Sequence, residues 1–134
     1  MNDKVLAYTG FRLLMGMNIF MHGAVRLGSN YPAFVQWTQD LFAQTWLPMW
    51  LVALEAHVIP GAEMAIGALM FIGLKTRWAI LGGMALLATL LFGMVILQDW
   101  EIVARHLIYA LCFYVLLNNT EFNSFSIDNR LLKD

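Results

Sequence analysis

The stretch WAILGGMALLATLLFGMVIL, from Trp78 to Leu97, holds no charged residue across its whole length. It is long enough to cross the roughly 30 Å hydrocarbon core of a bilayer as a helix. Three more apolar stretches flank it, around Val5–Val25, Met49–Gly73 and Ile102–Leu117. The whole chain agrees with a lipid environment, since 60% of its 134 residues are hydrophobic and only 13% are charged. A water-soluble domain of this size needs more charge to cover its surface. The expected fold is therefore an all-α integral membrane protein, a four-transmembrane-helix bundle occupying residues 1–134 as one domain. Its helices are expected at about 5–26, 49–73, 77–98 and 101–118, followed by a polar tail over 119–134.

The connections have distinct characters. Gly28, Ser29, Asn30 and Pro32 break the chain after the first span. Phe34 to Phe42 then places apolar residues at helical spacing, which predicts a short amphipathic helix lying in the membrane interface. Trp37, Trp46 and Trp50 suit an aromatic belt on that side. The first apolar stretch is read as a span and not as a secretory signal, because Arg12 interrupts it and His22 and Arg26 close it. The single cysteine, Cys112, supplies neither a dithiol pair nor a Cys-x-x-Cys metal site, and reads as a packing residue. Gly10, Gly16, Gly23, Gly67, Gly82, Gly83 and Gly93 read as positions of close helix approach.

Lys4, Lys75, Arg77, Arg130 and Lys133 fall on one side of a four-span topology, against Arg26 and Arg105 on the other. Basic residues accumulate on the cytoplasmic side. Both termini are thus expected in the cytoplasm, with the chain in the plasma membrane. The net charge of −1 and the lack of a basic run argue against a nucleic-acid partner.

Ionisable groups inside apolar spans carry the functional information, because each costs about 2.5–3.5 kcal/mol at a helix centre on insertion scales. Arg12, His22 and Arg26 fall within roughly 80° of one another on the first helix, as do Glu55 and Glu63 on the second. Pro60 predicts a kink between those two glutamates. Arg12 and Glu63 reach similar depths and are expected to form a structural ion pair. Glu101 and Arg105, four apart, predict a local ion pair. His57 points away from the glutamate face. His22, Arg26, Glu55 and His106 gather toward the outer half and are the candidate ligand-binding residues; no metal set is seen. Ion pairs that simply hold helices together give the same residues a purely structural meaning.

Arg12-Leu13-Leu14-x-Gly16 with His22-Gly23-x-x-Arg26-Leu27 resembles the opening of the DoxX/DoxD-like family of small four-helix membrane proteins. Glu63-x-x-x-Gly67-x-Leu69-x-x-x-Gly73-Leu74-x-Thr76-Arg77 is similar to that family's second helix and following loop. His106 and Ser126-Ile127-Asp128 match its fourth-helix histidine and its tail motif. Arg26 stands where the family often has lysine, and Asn118-Asn119-Thr120-Glu121 replaces its glycine–proline turn, which predicts a different docking of the tail. The resemblance implies a membrane subunit tied to respiratory or sulfur redox chemistry, alongside other protein subunits and lipid.

Two functions follow. The first is a quinone-linked accessory or electron-transfer subunit, in which His22 and Arg26 donate to a quinone carbonyl and His106, with Glu55 near, relays a proton. The second is a non-catalytic scaffold, anchor or assembly subunit of a larger membrane complex. A third, haem held by His22 and His106, is set below both, and haem is not expected, because bundle histidines have many other uses.

Overall fold

The computed structural model describes residues 2–132; Lys133, counted above for orientation, lies outside the described residues together with Met1 and Asp134. The described residues form α-helices, short 3₁₀ turns and connections, with no strand among them. The α-helices are α1 (Asp3–Ala24), α2 (Tyr31–Phe42), α3 (Met49–Ile72), α4 (Thr76–Ile96), α5 (Trp100–Asn118) and α6 (Ile127–Leu131).

Local chemistry sets these boundaries. Asn2 caps α1 by accepting from the Lys4 N–H at 2.9 Å, which starts the helix slightly earlier than apolarity alone suggests. The helix ends at Ala24, so Arg26 lies in the turn that follows. The amphipathic segment forms α2, with Pro32 in its first turn and Thr38 and Phe42 buried. α3 runs unbroken through Pro60. Asp99 caps α5 by accepting from the Ile102 N–H at 3.2 Å.

Three helices, α3, α4 and α5, are long and apolar enough to cross a membrane. That is the mark of a membrane protein, and their packing agrees with it. Only 11% of the apolar window of α5 is buried inside the protein. Leu107, Ile108, Leu111 and Tyr114 instead point outward, an apolar surface that water would not tolerate. α1 has 22 residues but carries Arg12, Asn18 and His22, which lower its apolarity.

α1 packs most closely on α3, and small residues make that possible. A Cβ on Gly16 would lie 2.6 Å from the Phe71 backbone nitrogen, and one on Gly67 would lie 2.6 Å from the Phe20 Cα. Gly23 meets the backbone of Pro60 and Met64 in the same seam. Gly83 leaves room for the Phe113 ring, which joins α4 to α5. Gly10 corrects the reading of the glycines, for it faces open space. The core runs from Tyr8, Met15 and Ile19 through Met70 and Ile80 to Leu87, Phe113 and Leu116, and Cys112 packs against it.

One end of the bundle is tied together by polar contacts across long sequence separations. Arg12 is 2% exposed, and its Nη1 donates to the Met70 and Phe71 carbonyls at 2.5 and 2.8 Å. Those carbonyls belong to the last turn of α3, which has no intrahelical donor for them. Its Nη2 donates to the Phe125 carbonyl at 2.7 Å, which fastens the tail to the same point. Gly73 ends α3 at a φ of 71°, and a side chain there would also collide with Ser126 and Arg12. Lys75 follows, left-handed at a φ of 48°, and no residue beside it caps α4.

The tail provides that cap. Asp128 accepts from the Lys75 and Thr76 N–H groups at 2.5 and 2.7 Å, while its own N–H donates to the Gly73 carbonyl at 2.9 Å. Burial alone would raise the Asp128 carboxyl. The hydrogen bonds from Thr76 and Lys75 outweigh it and hold the group below the usual carboxylate range. Asn119 to Phe122, where a different docking was expected, forms the 3₁₀ turn that leads the chain back toward Ser126.

Candidate functional site

At the other end, the bundle opens into a cavity of about 820 Å³. All five of the longer helices contribute to it. His22 comes from α1, Arg26 from the turn after it, Glu55 and Glu63 from α3, and His106 from α5. The four candidate ligand residues therefore line one space. Phe34, Trp37 and Thr38 of α2 cover it, and Gly83, Leu87 and Gly93 of α4 form a wall with no charge. That last wall was not anticipated, because the third span has no ionisable residue to attract notice.

The ion pairing differs from expectation. Glu63, 6% exposed, accepts from Arg26 Nη1 through both carboxylate oxygens at 2.8 and 2.7 Å. Arg12 is not its partner. The carbonyls that hold Arg12 lie seven and eight residues further along α3, about 10 Å away by helical rise. Each arginine thus has its own acceptors at its own end of the α1–α3 seam, although the buried Arg12 Nε has no partner among the described residues. The turn after Ala24 frees the Arg26 side chain to reach back, and its guanidinium also lies 4.9 Å from the Phe34 ring centre. The pair links α1, α2 and α3 at the cavity edge.

His22 Nδ1 lies 2.8 Å from the Asn18 carbonyl. A carbonyl oxygen only accepts, so Nδ1 carries the proton and Nε2 of the neutral ring presents a lone pair. Nε2 is therefore the ring atom left for a ligand, accepting in the neutral ring and donating in the imidazolium. His106 Nδ1 is buried and has no hydrogen-bond partner among the described residues. Ile102, His106, Tyr109 and Phe113 recur at helical spacing, and all four line the cavity, so they form one stripe of α5.

Sequence reasoning missed two polar residues here. Asn18 Nδ2 donates to the Tyr109 hydroxyl at 3.1 Å, joining α1 to α5 inside the cavity lining. The His22 ring stands edge-on to Tyr109, with ring centres 6.4 Å apart. A search restricted to ionisable groups passes over both. Spacing was the available signal, since Asn18 precedes His22 by one helical turn and Tyr109 follows His106 by three residues.

The remaining candidates play smaller parts. Glu101 and Arg105 pair across one turn of α5, with side chains 77% and 64% exposed, so the pair adds little stability. His57 is exposed, bonds the Ala53 carbonyl through Nδ1 at 2.6 Å, and meets the Tyr31 ring edge-on. No cluster of three or more His, Cys, Asp or Glu side chains able to hold a metal occurs among the described residues.

The cavity thus has apolar and aromatic walls and a polar part formed by the Arg26–Glu63 pair, Glu55, Arg105, two imidazoles and the Tyr109 hydroxyl. Such a space suits an apolar ligand bearing a few oxygen atoms. No family model matches the chain, and no curated protein or solved structure matches it either.

Proposed function

We propose that this chain is a DoxX/DoxD-like membrane subunit that holds a quinone as an accessory, quinone-interacting component of a respiratory or sulfur redox complex. One observation carries the reading: His22, Arg26, Glu55 and His106 line a single apolar cavity of about 820 Å³. A quinone ring with part of its isoprenoid chain fits a space of that size and chemistry. Neutral His22 is suited to accept a proton from a hydroquinone, and Glu55 stands in the same lining to pass it on.

α1 acts as the fourth span in this account. Its 22 residues reach about 33 Å, enough for the hydrocarbon core. Arg12 and Asn18 turn inward, to α3 and to Tyr109, and His22, though exposed, borders the cavity, while Leu14, Met17 and Met21 face outward. Lys4, Lys75, Arg77 and Arg130 belong to the end closed by the tail, and this bias supports a topology with both termini in the cytoplasm of a bacterial cell. In intact cells, an external thiol reagent should modify a cysteine at Ser29 and spare one at Ser124. The opposite labelling pattern would invert the topology.

The function is tested by quinone titration of the purified protein in nanodiscs, read by tryptophan quenching. Trp37 borders the cavity and should report occupancy. Wild type should bind menadione saturably, and His22→Ala and His106→Ala should each weaken binding about tenfold with melting temperature retained. Lost stability with unchanged quinone affinity would overturn the reading in favour of a scaffold.

A further inference from the structure

The Tyr109 hydroxyl accepts a hydrogen bond from Asn18, and no hydrogen bond among the described residues uses its own proton. Tyr109 lines the cavity, so that proton is available to a ligand there. Two of its polar neighbours already have partners. His22 has committed its Nδ1 proton to the Asn18 carbonyl. Arg26 has committed Nη1 to both oxygens of Glu63. A ligand carbonyl near Tyr109 therefore meets a neutral donor whose oxygen is held by Asn18, beside the partnerless His106 imidazole and the uncommitted Nη2 of Arg26.

We infer that Tyr109, held by Asn18, is the residue that donates to a ligand carbonyl, and that this bond makes the cavity select a quinone over a hydrocarbon of the same shape. The inference rests on the quinone reading above and adds the group that provides selectivity. A neutral donor is well matched to the task, because a site built to hydrogen-bond an oxygen loses much of its affinity for an analogue that lacks it. Asn18 is a positioning residue in this arrangement, and so ties α1 to ligand recognition on α5.

Equilibrium dialysis in nanodiscs, corrected with empty nanodiscs, compares menadione with 2-methylnaphthalene, which keeps the ring and methyl group but lacks both carbonyls. Wild type should prefer menadione. Tyr109→Phe should reduce menadione affinity about tenfold and leave 2-methylnaphthalene affinity unchanged. A second variant guards against loss of the Asn18 bond: 3-fluorotyrosine at position 109, measured at pH 6, keeps shape and partner while making the hydroxyl a stronger donor. It should tighten menadione binding alone. Equal menadione affinity in wild type and both variants, or parallel changes for the two ligands, would overturn the role of Tyr109 and leave the quinone reading intact. A wild-type protein that binds the two ligands equally would overturn both.

Discussion

Arg12→Leu is expected to remove most of the protein's folding stability. The side chain satisfies the Met70, Phe71 and Phe125 carbonyls, and it is almost wholly buried. Hydrogen bonds to a charged group contribute about 1.5–3 kcal/mol each, and stranding their buried acceptors adds to the loss. Three together rival the whole stability of a typical domain, about 5–15 kcal/mol. Leucine would leave the end of α3 without donors and release the tail that caps α4. Arg12→Lys should recover only part of the loss, since an ammonium cannot reproduce the planar fork that spans α3 and the tail. Thermal unfolding in detergent measures the first effect. Limited proteolysis measures the second, with cleavage appearing near Asn123–Asn129 in the variant and not in wild type. An Arg12→Leu protein with wild-type melting and a protected tail would show that the clamp is dispensable.

The Arg26–Glu63 pair yields the second large effect. Glu63 is nearly buried, whereas the Arg26 side chain is 29% exposed at the cavity edge. Arg26→Leu strands the carboxylate, and breaking a buried pair in this way costs about 3–5 kcal/mol. The partial exposure of Arg26 puts the expectation at the lower end of that range. Glu63→Leu should cost less, because the longer arginine can turn toward solvent. The double variant should recover much of the Arg26→Leu loss, with a coupling energy of about 2 kcal/mol in a double-mutant cycle. Additive losses would mean that the two charges do not act as a pair. Combining Arg12→Leu with Glu63→Leu should show no coupling, since those residues lie at opposite ends of the seam.

Much of this architecture can be read from apolarity and helical spacing. The uncharged run at Trp78–Leu97 lies within α4 and its C-terminal turn, and the spacing at Phe34–Phe42 marks α2. Inward-facing polar residues at one end of the chain's helices also identify most of the cavity's polar end. The Arg12 partner was less legible. Depth along a helix says which charges are near one another, but it omits the free carbonyls at a helix terminus, which compete for an arginine. Arg26 lies just past the end of α1 at Ala24, two residues short of the expected boundary at about 26, a difference that sequence periodicity does not resolve. Asp128 capping α4 depends on a contact across 52 residues, to Thr76, and so on the docked tail. Tyr109 and Asn18 were passed over because neither carries charge, although their spacing along α1 and α5 places them beside the histidines.

The central claim, that a quinone occupies the cavity at the polar end of this bundle, is tested most directly by photolabelling. A menaquinone analogue with a photoreactive ring substituent would be incorporated into nanodiscs with the protein, irradiated, and located by peptide mass spectrometry. The account predicts attachment to Asn18–Arg26, Phe34–Thr38 or His106–Tyr109, and loss of that attachment when unlabelled menadione is added. Label confined to outward-facing residues such as Leu107, Ile108 and Leu111, and undiminished by menadione, would contradict it.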